Sequence, residues 1–142
     1  KNHISVDVKY KFIRAYTVTS ANVHDSNVFE ELLDPKNTSK DVWADSAYRS
    51  HDAVESLQAN GYREHLQRKG SRGRKLTNWE QQGNRTRSRI RSRVEHIFGV
   101  QAQRAGNMIL RGVGIIRSGT KIGLRNLAFN LDRYGTLCVS HR

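Results

Sequence analysis

The sequence predicts an α/β or α+β layer structure, and three observations predict it. β-rich runs come first, amphipathic helical runs come last, and one strand–helix–strand unit can be read between residues 41 and 66. At 142 residues the chain is long enough for one domain with one core. Its 36% apolar share makes that core modest and the surface heavily charged.

The elements follow in order. Ile4, Val6 and Val8 alternate with polar residues, and Phe12 to Thr19 is rich in β-branched and aromatic side chains. With Lys9-Tyr10-Lys11 as a short connection, this pair reads as an antiparallel hairpin. Residues 20–26 read as a loop in which Asp25 or Ser26 caps a helix to about Leu33, stopped by Asp34-Pro35. Asp41-Val42-Trp43-Ala44 is a short apolar strand ending on Asp45-Ser46. A helix from Ser50 or His51 to Asn60 carries Ala53, Val54 and Leu57 as its stripe, with Asn60-Gly61 as its stop. Tyr62 to Leu66 forms another strand. A basic loop spans about 67–84, and its glycine-rich stretch Lys69 to Lys75 disfavours any regular element. A helix from about Asn84 to Gln103 opens a helical part that extends to about 135. Residues 106–119 are glycine-punctuated and fit either state. The last helix, from about Thr120 to Tyr134, places Leu124, Leu127, Ala128, Leu131 and Tyr134 on one face. No internal repeat is seen.

Charge is divided unevenly along this plan. Residues 1–64 hold eight Lys/Arg against ten acids, whereas residues 65–142 hold seventeen against three: Glu80, Glu95 and Asp132. A pI near 10.4 with the positive charge concentrated in one half is the footprint of a nucleic-acid partner. The single cysteine, Cys138, excludes an internal disulfide and a Cys-rich zinc site and suits a reducing compartment. No apolar stretch is long enough for a membrane span, so no membrane partner is expected. The opening Lys1-Asn2-His3-Ile4 starts in mid-pattern, so the chain reads as a piece of a longer protein.

Two carboxylates stand out. Arg85, Arg87, Arg89, Arg91 and Arg93 occupy alternate positions, and the next such position is Glu95. On a helix, Ile90, Val94, Ile97 and Phe98 share one face. Arg85, Arg89 and Arg93 border that face on one side, and Arg87, Arg91 and Glu95 on the other. Glu95 then has two readings. One is an i,i+4 ion pair with Arg91 worth about 0.3–0.5 kcal/mol. The other is a metal-binding carboxylate that Arg91 holds in place. Asp45 likewise reads as a turn or cap residue, or as an acid at the carboxyl edge of a sheet, where open α/β sheets build their sites. Asp7 reads as structural. Trp43 and Trp79 fit the core better than a stacking role, although Trp79 lies beside the basic loop. His24, His51 and His96 read as surface or packing residues.

Three ordered motifs carry a resemblance. They are Val18 to Ser26, Ala44 to Ser50 and Arg91 to Gly99, and the tail Ile122 to Tyr134 adds a fourth segment. Together they resemble the DDE catalytic domain of bacterial insertion-sequence transposases of the IS-four/IS-five type, over essentially the whole chain. The resemblance implies a ribonuclease-H-like mixed sheet flanked by helices, incomplete here because the first strand is missing. It implies three carboxylates that hold two Mg or Mn ions. Asp45 would be the second carboxylate and Glu95 the third, with Arg91 the basic member of the signature around Glu95. The first aspartate would lie upstream of Lys1, so residues 1–142 read as the C-terminal part of the catalytic domain, truncated at the N-terminus and inactive alone. Ser88 stands where the family has tyrosine. Ala102 stands where it has lysine, leaving Gln101, Gln103 or Arg104 as the polar groups there.

The implied function is metal-dependent hydrolysis of a phosphodiester at the element's ends, followed by attack of the freed 3′-hydroxyl on target DNA. The implied partners are transposon-end and target DNA, with a homodimer in the intact transposase and a cytoplasmic, nucleoid-associated location in a bacterium. Lys69, Arg72, Arg74, Lys75, Arg85, Arg87, Arg89 and Arg93 are the expected phosphate contacts, which position DNA without reading its sequence. Two other readings compete: a different ribonuclease-H-like nuclease, and a non-catalytic basic module that only binds nucleic acid.

Overall fold

In the computed structural model, which describes residues 1–106 and 114–140, the chain is mixed α/β and divides into two compact units. One comprises residues 1–23, 31–33 and 93–142; the other comprises residues 24–30 and 34–92. Strand pairing among the described residues is confined to two two-stranded sheets, one in each unit.

The first unit is built on the expected hairpin. Strands β1 (Asn2–Val6) and β2 (Ile13–Val18) pair antiparallel, with Asn2 opposite Val18 and a register shift between Ser5 and Val6. Asp7 makes the turn. Its carboxylate accepts from the Lys9 and Tyr10 amides (3.3 and 2.5 Å), and its carbonyl accepts from Lys11 N at 2.9 Å. The turn puts Lys11 at φ +63°, the left-handed region that non-glycine residues seldom enter. Asp7 is thus structural, as its strand context implies.

Helix α3 (Ile115–Ser140) lies on β2. It is longer than the expected 120–134 helix at both ends, and the face it buries is not the apolar stripe. Leu124, Leu127, Leu131 and Tyr134 are more than half exposed, whereas Ile122 and Asn126 are buried. A ladder of polar contacts sets the inward face. Asn126 Oδ1 accepts from Gln101 Nε2 at 3.0 Å. The Asn130 amide accepts from Ile13 N and donates to Ile13 O, each at 2.9 Å, and Arg133 Nε donates to Tyr10 O at 2.9 Å. Asn130 therefore completes the hydrogen bonding of a hairpin residue as a neighbouring strand would. Part of the 106–119 stretch lies outside the described residues.

The second unit is a β–α–β arrangement. Strands β3 (Asp41–Ala44) and β4 (Arg63–Leu66) pair parallel, with Asp41 opposite Arg63 and Ala44 opposite Leu66. The helix between them, α1 (His51–Ala59), is capped by Ser50 Oγ, which accepts from Ala53 N at 3.1 Å. Gly61, at φ +71°, turns the chain out of the helix. Ala53, Leu57 and Leu66 form the core here, the last two almost fully buried, each worth about 1.5–3 kcal/mol. The bounds of β3, α1 and β4 agree with the sequence reading to within a residue or so.

Between β2 and β3 the expected α-helix is replaced by two 3-10 turns, Asp25–Val28 and Glu30–Leu32. The cap is His24 rather than Asp25 or Ser26, its Nδ1 lying 2.7 Å from Ser26 Oγ. Helix α2 runs from Asn78 to Ala105, so it starts at 78 rather than 84. Its residues up to Ser92 belong to the second unit and those from Arg93 to the first.

Candidate active site

Asp45 follows β3 directly, at the carboxyl end of a parallel strand. Its backbone is extended (φ −70°, ψ 162°), and it caps the 3-10 turn Ser46–Tyr48. The carboxylate divides its two oxygens. Oδ1 accepts from Ser46 N at 2.5 Å and Ser46 Oγ at 3.1 Å; Oδ2 accepts from Arg91 Nη1 at 2.9 Å. The cap reading of Asp45 is realised on Oδ1, and the residue stands at the carboxyl end of its strand. The side chains of Arg91 and Asp45 are 29% and 36% exposed, so ions and phosphates can reach the pair from solvent.

A second acid lies close by. The turn holding Asp25 packs on the turn holding Tyr48, and the Phe29 and Tyr48 rings meet at 5.6 Å between centroids. Burial pushes the Tyr48 phenol up to about 12, and the negative charges of Asp25 and Asp45 add to the effect. Asp25, His24 and Asp45 thus border the same pair of turns, a grouping that linear spacing does not reveal.

Another charged cluster sits at the opposite end of the same strand pair. Asp41 accepts from Arg63 Nε and Nη2, both at 2.9 Å, and its Oδ1 lies 2.9 Å from His65 Nε2. Hydrogen bonds from His65 and then Arg63 hold the Asp41 carboxyl below the usual range. His65 stacks on Trp43 at 3.9 Å and 13°. Trp43 is therefore a packing residue, as expected; Trp79 is 72% exposed and is not.

The basic loop has more order than its glycines imply. Ser71 and Arg74 exchange two backbone hydrogen bonds (3.1 and 3.0 Å) across a tight turn in which Gly73 takes φ +88°. Glu80, nearly buried, ties the loop to the start of α2. It accepts from Arg68 at 3.3 Å, from Arg74 at 3.0 Å and from Thr77 N at 2.9 Å, while Glu80 N donates to Thr77 Oγ1 at 3.2 Å. The reciprocal Thr77–Glu80 pair is a capping box. Thr77-Asn78-Trp79-Glu80 is its sequence signature, and it explains why α2 begins at Asn78. The Thr77 amide, followed by Arg68 and Arg74, holds the Glu80 carboxyl below its usual value.

The expected phosphate contacts therefore divide. Lys69, Arg72, Lys75, Arg85 and Arg89 are exposed. Arg74 is also exposed but is paired with Glu80. Arg87 is half-buried, and its Nε and Nη1 are buried without hydrogen-bond partners among the described residues. Arg93 donates to Val8 O at 2.8 Å. Among the polar groups standing in for the family's lysine, Gln101 is buried on Asn126 and Arg104 pairs with Asp132, which turns both to structural use. Ser88 accepts from Gln67 Nε2 at 2.6 Å.

Glu95 is an exposed residue of α2, one turn beyond Arg91 on that helix, and belongs to the first unit. Sequence spacing pairs Arg91 with Glu95; the structure also gives Arg91 a partly exposed ion pair with Asp45. Among the described residues no three His, Cys, Asp or Glu side chains are grouped to hold a metal ion. The Asp45 carboxylate is a hard oxygen donor at the protein surface, with Ser46 on one oxygen and Arg91 on the other. No helix of the described residues is long and apolar enough to cross a membrane.

Comparison with known proteins bears on this arrangement. The family profile described as transposase DDE domain matches residues 1–131. The transposase for insertion sequence element IS1106 of Neisseria meningitidis serogroup B is 28% identical over 133 residues, which is 92% of this chain and 45% of that protein. The chain thus spans about half the length of the curated relative. No solved structure matches it.

Proposed function

The chain belongs to the transposase DDE-domain family, and from that membership we propose that Asp45 and Glu95 are two of the carboxylates of a DNA strand-transfer enzyme. The observation that carries the reading is the position of Asp45. It is a solvent-reachable acid directly after a parallel strand, in the motif that the family comparison covers, with a cationic partner at hydrogen-bond distance. The fold reading that goes with it is ribonuclease-H-like. An antiparallel hairpin and a parallel β–α–β unit are the two kinds of pairing such a mixed sheet combines.

Asp45 and Glu95 are the residues that would hold Mg or Mn. Such ions, when bound, activate the attacking oxygen and stabilise the leaving oxygen of a phosphodiester. The protein's own part is positional. Ser46 fixes the rotation of the Asp45 carboxylate through two hydrogen bonds to one oxygen, and the other oxygen faces Arg91. The exposed Lys69, Arg72, Lys75, Arg85 and Arg89 supply phosphate contacts to transposon-end and target DNA. Arg74, Arg87 and Arg93 contribute to those contacts only by giving up their present positions. Homodimerisation and nucleoid association of the intact transposase belong to the same reading.

The test is a strand-transfer assay on the element's terminal DNA with the full-length gene product and Mg. Joining of the freed 3′-hydroxyl to target DNA is the expected result. Cutting without joining would favour a ribonuclease-H-like nuclease, and DNA binding with neither step would favour a non-catalytic module.

A further inference from the structure

Arg91 places a positive charge on the Asp45 oxygen that Ser46 leaves open. The Asp45 Oδ1 oxygen is committed to Ser46 N and Ser46 Oγ, and both of those donors come from the adjoining turn. The Oδ2 oxygen carries the Arg91 guanidinium at 2.9 Å. Oδ2 keeps a second lone pair beside this bond, so the conflict with a divalent ion is one of charge rather than of vacant acceptor sites. A second positive charge at the same oxygen is unfavourable. The pair is about one-third exposed, so the ion pair is weak enough to exchange. Arg91 shares its helix edge with Arg87, one turn before it. Its planar guanidinium would suit a phosphate as well as it suits a carboxylate.

We infer that Arg91 is a resident cation that holds Asp45 in the ion-free protein and competes with the divalent ion for Oδ2, so that ion binding releases Arg91 toward a DNA phosphate. This rests on the proposal that Asp45 is a metal ligand. It makes Arg91 a positioning residue that exchanges the Asp45 carboxylate for a phosphate. By linkage, a DNA phosphate that draws Arg91 away strengthens ion binding at Asp45 by the same factor as the ion strengthens that phosphate contact.

The test measures ion binding, not catalysis. Titration of the chain with Mn, followed by the electron paramagnetic resonance signal of the free ion, gives an affinity for the wild type, Arg91→Gln, Arg91→Lys and Asp45→Asn. Removal of the competing charge should tighten Mn binding in Arg91→Gln by about two- to fivefold, the range set by a partly exposed ion pair. Arg91→Lys, which keeps the charge, should stay near wild type. Unchanged or weaker binding in Arg91→Gln overturns the inference. Unchanged binding in Asp45→Asn overturns the metal-ligand reading beneath it, so the two failures are separable. A second readout needs no variant. In the wild-type chain, Mg should move the Arg91 guanidinium NMR signals as the bond to Asp45 is lost. Signals unmoved at saturating Mg would show that Arg91 never leaves Asp45, and would contradict the exchange.

Discussion

At the scale of single residues, Asp45 and Tyr48 report on one another. The Tyr48 phenol is pushed up to about 12 by burial first and by the charges of Asp25 and Asp45 after it. A negative neighbour disfavours phenolate, so removal of that neighbour must lower the tyrosine's ionisation point. Asp45→Asn is therefore expected to bring one late-titrating tyrosine to lower pH. Absorbance at 295 nm across an alkaline titration checks this, and an unmoved titration would separate Asp45 from Tyr48. The sequence made Asp45 legible as a residue at the end of a strand. It did not show Asp25 as a neighbour, because that proximity comes from two 3-10 turns packing together rather than from spacing.

Among the elements, two junctions make separate predictions. Glu80 is held by the Thr77 amide, Arg68 and Arg74. With a folded-state carboxyl below its unfolded value, its stabilisation is complete above about pH 4.5, the unfolded value, and is lost as pH falls through the folded one. Glu80→Gln should accordingly lower the thermal midpoint at pH 7 and flatten the acid side of the stability–pH profile. A midpoint that is unchanged at pH 7 would show that the clamp adds nothing. On α3, Asn130 satisfies both the amide and the carbonyl of Ile13. Asn130→Leu leaves these partly buried groups without partners and should cost about 1–3 kcal/mol in a denaturant titration.

These same junctions mark where sequence reading stops. The β3–α1–β4 unit was legible because its apolar stripe, Ser50 cap and Gly61 stop all agree. The start of α2 was equally written in Thr77-Asn78-Trp79-Glu80, yet the basic, glycine-containing stretch before it drew the boundary too late. On α3 the apolar stripe suggested the wrong face. Hydrophobic periodicity cannot see that Asn126 partners the buried Gln101 of α2, that Asn130 partners the partly buried Ile13 carbonyl, or that Arg133 reaches the Tyr10 carbonyl. Buried polar groups without partners are costly, so those contacts turn the helix.

On the scale of the whole molecule, the +12 charge would govern the proposed association with DNA. The exposed lysines and arginines predict a steep decline of affinity with salt. Substitution of Lys69, Arg72 and Lys75 by glutamine should reduce the slope of log K against log salt by about 0.9 for each lost contact. Equilibrium titration with duplex DNA at several salt concentrations measures it. A slope unchanged by the triple substitution would remove the loop from the DNA interface. Substitution of Arg74 should act differently, through loss of its pairing with Glu80 as well as through charge.

The central claim is that Asp45 and Glu95 each act as a metal-binding carboxylate of a transposase DDE domain. The measurement that tests it most directly is Mg-dependent end cleavage and joining by the full-length gene product carrying Asp45→Asn or Glu95→Gln, with DNA affinity measured in parallel. Each substitution should reduce the reaction by more than about a hundredfold, beyond what loss of an outer-shell partner does, while DNA affinity is retained. Near-wild-type cleavage and joining by either variant would contradict the account.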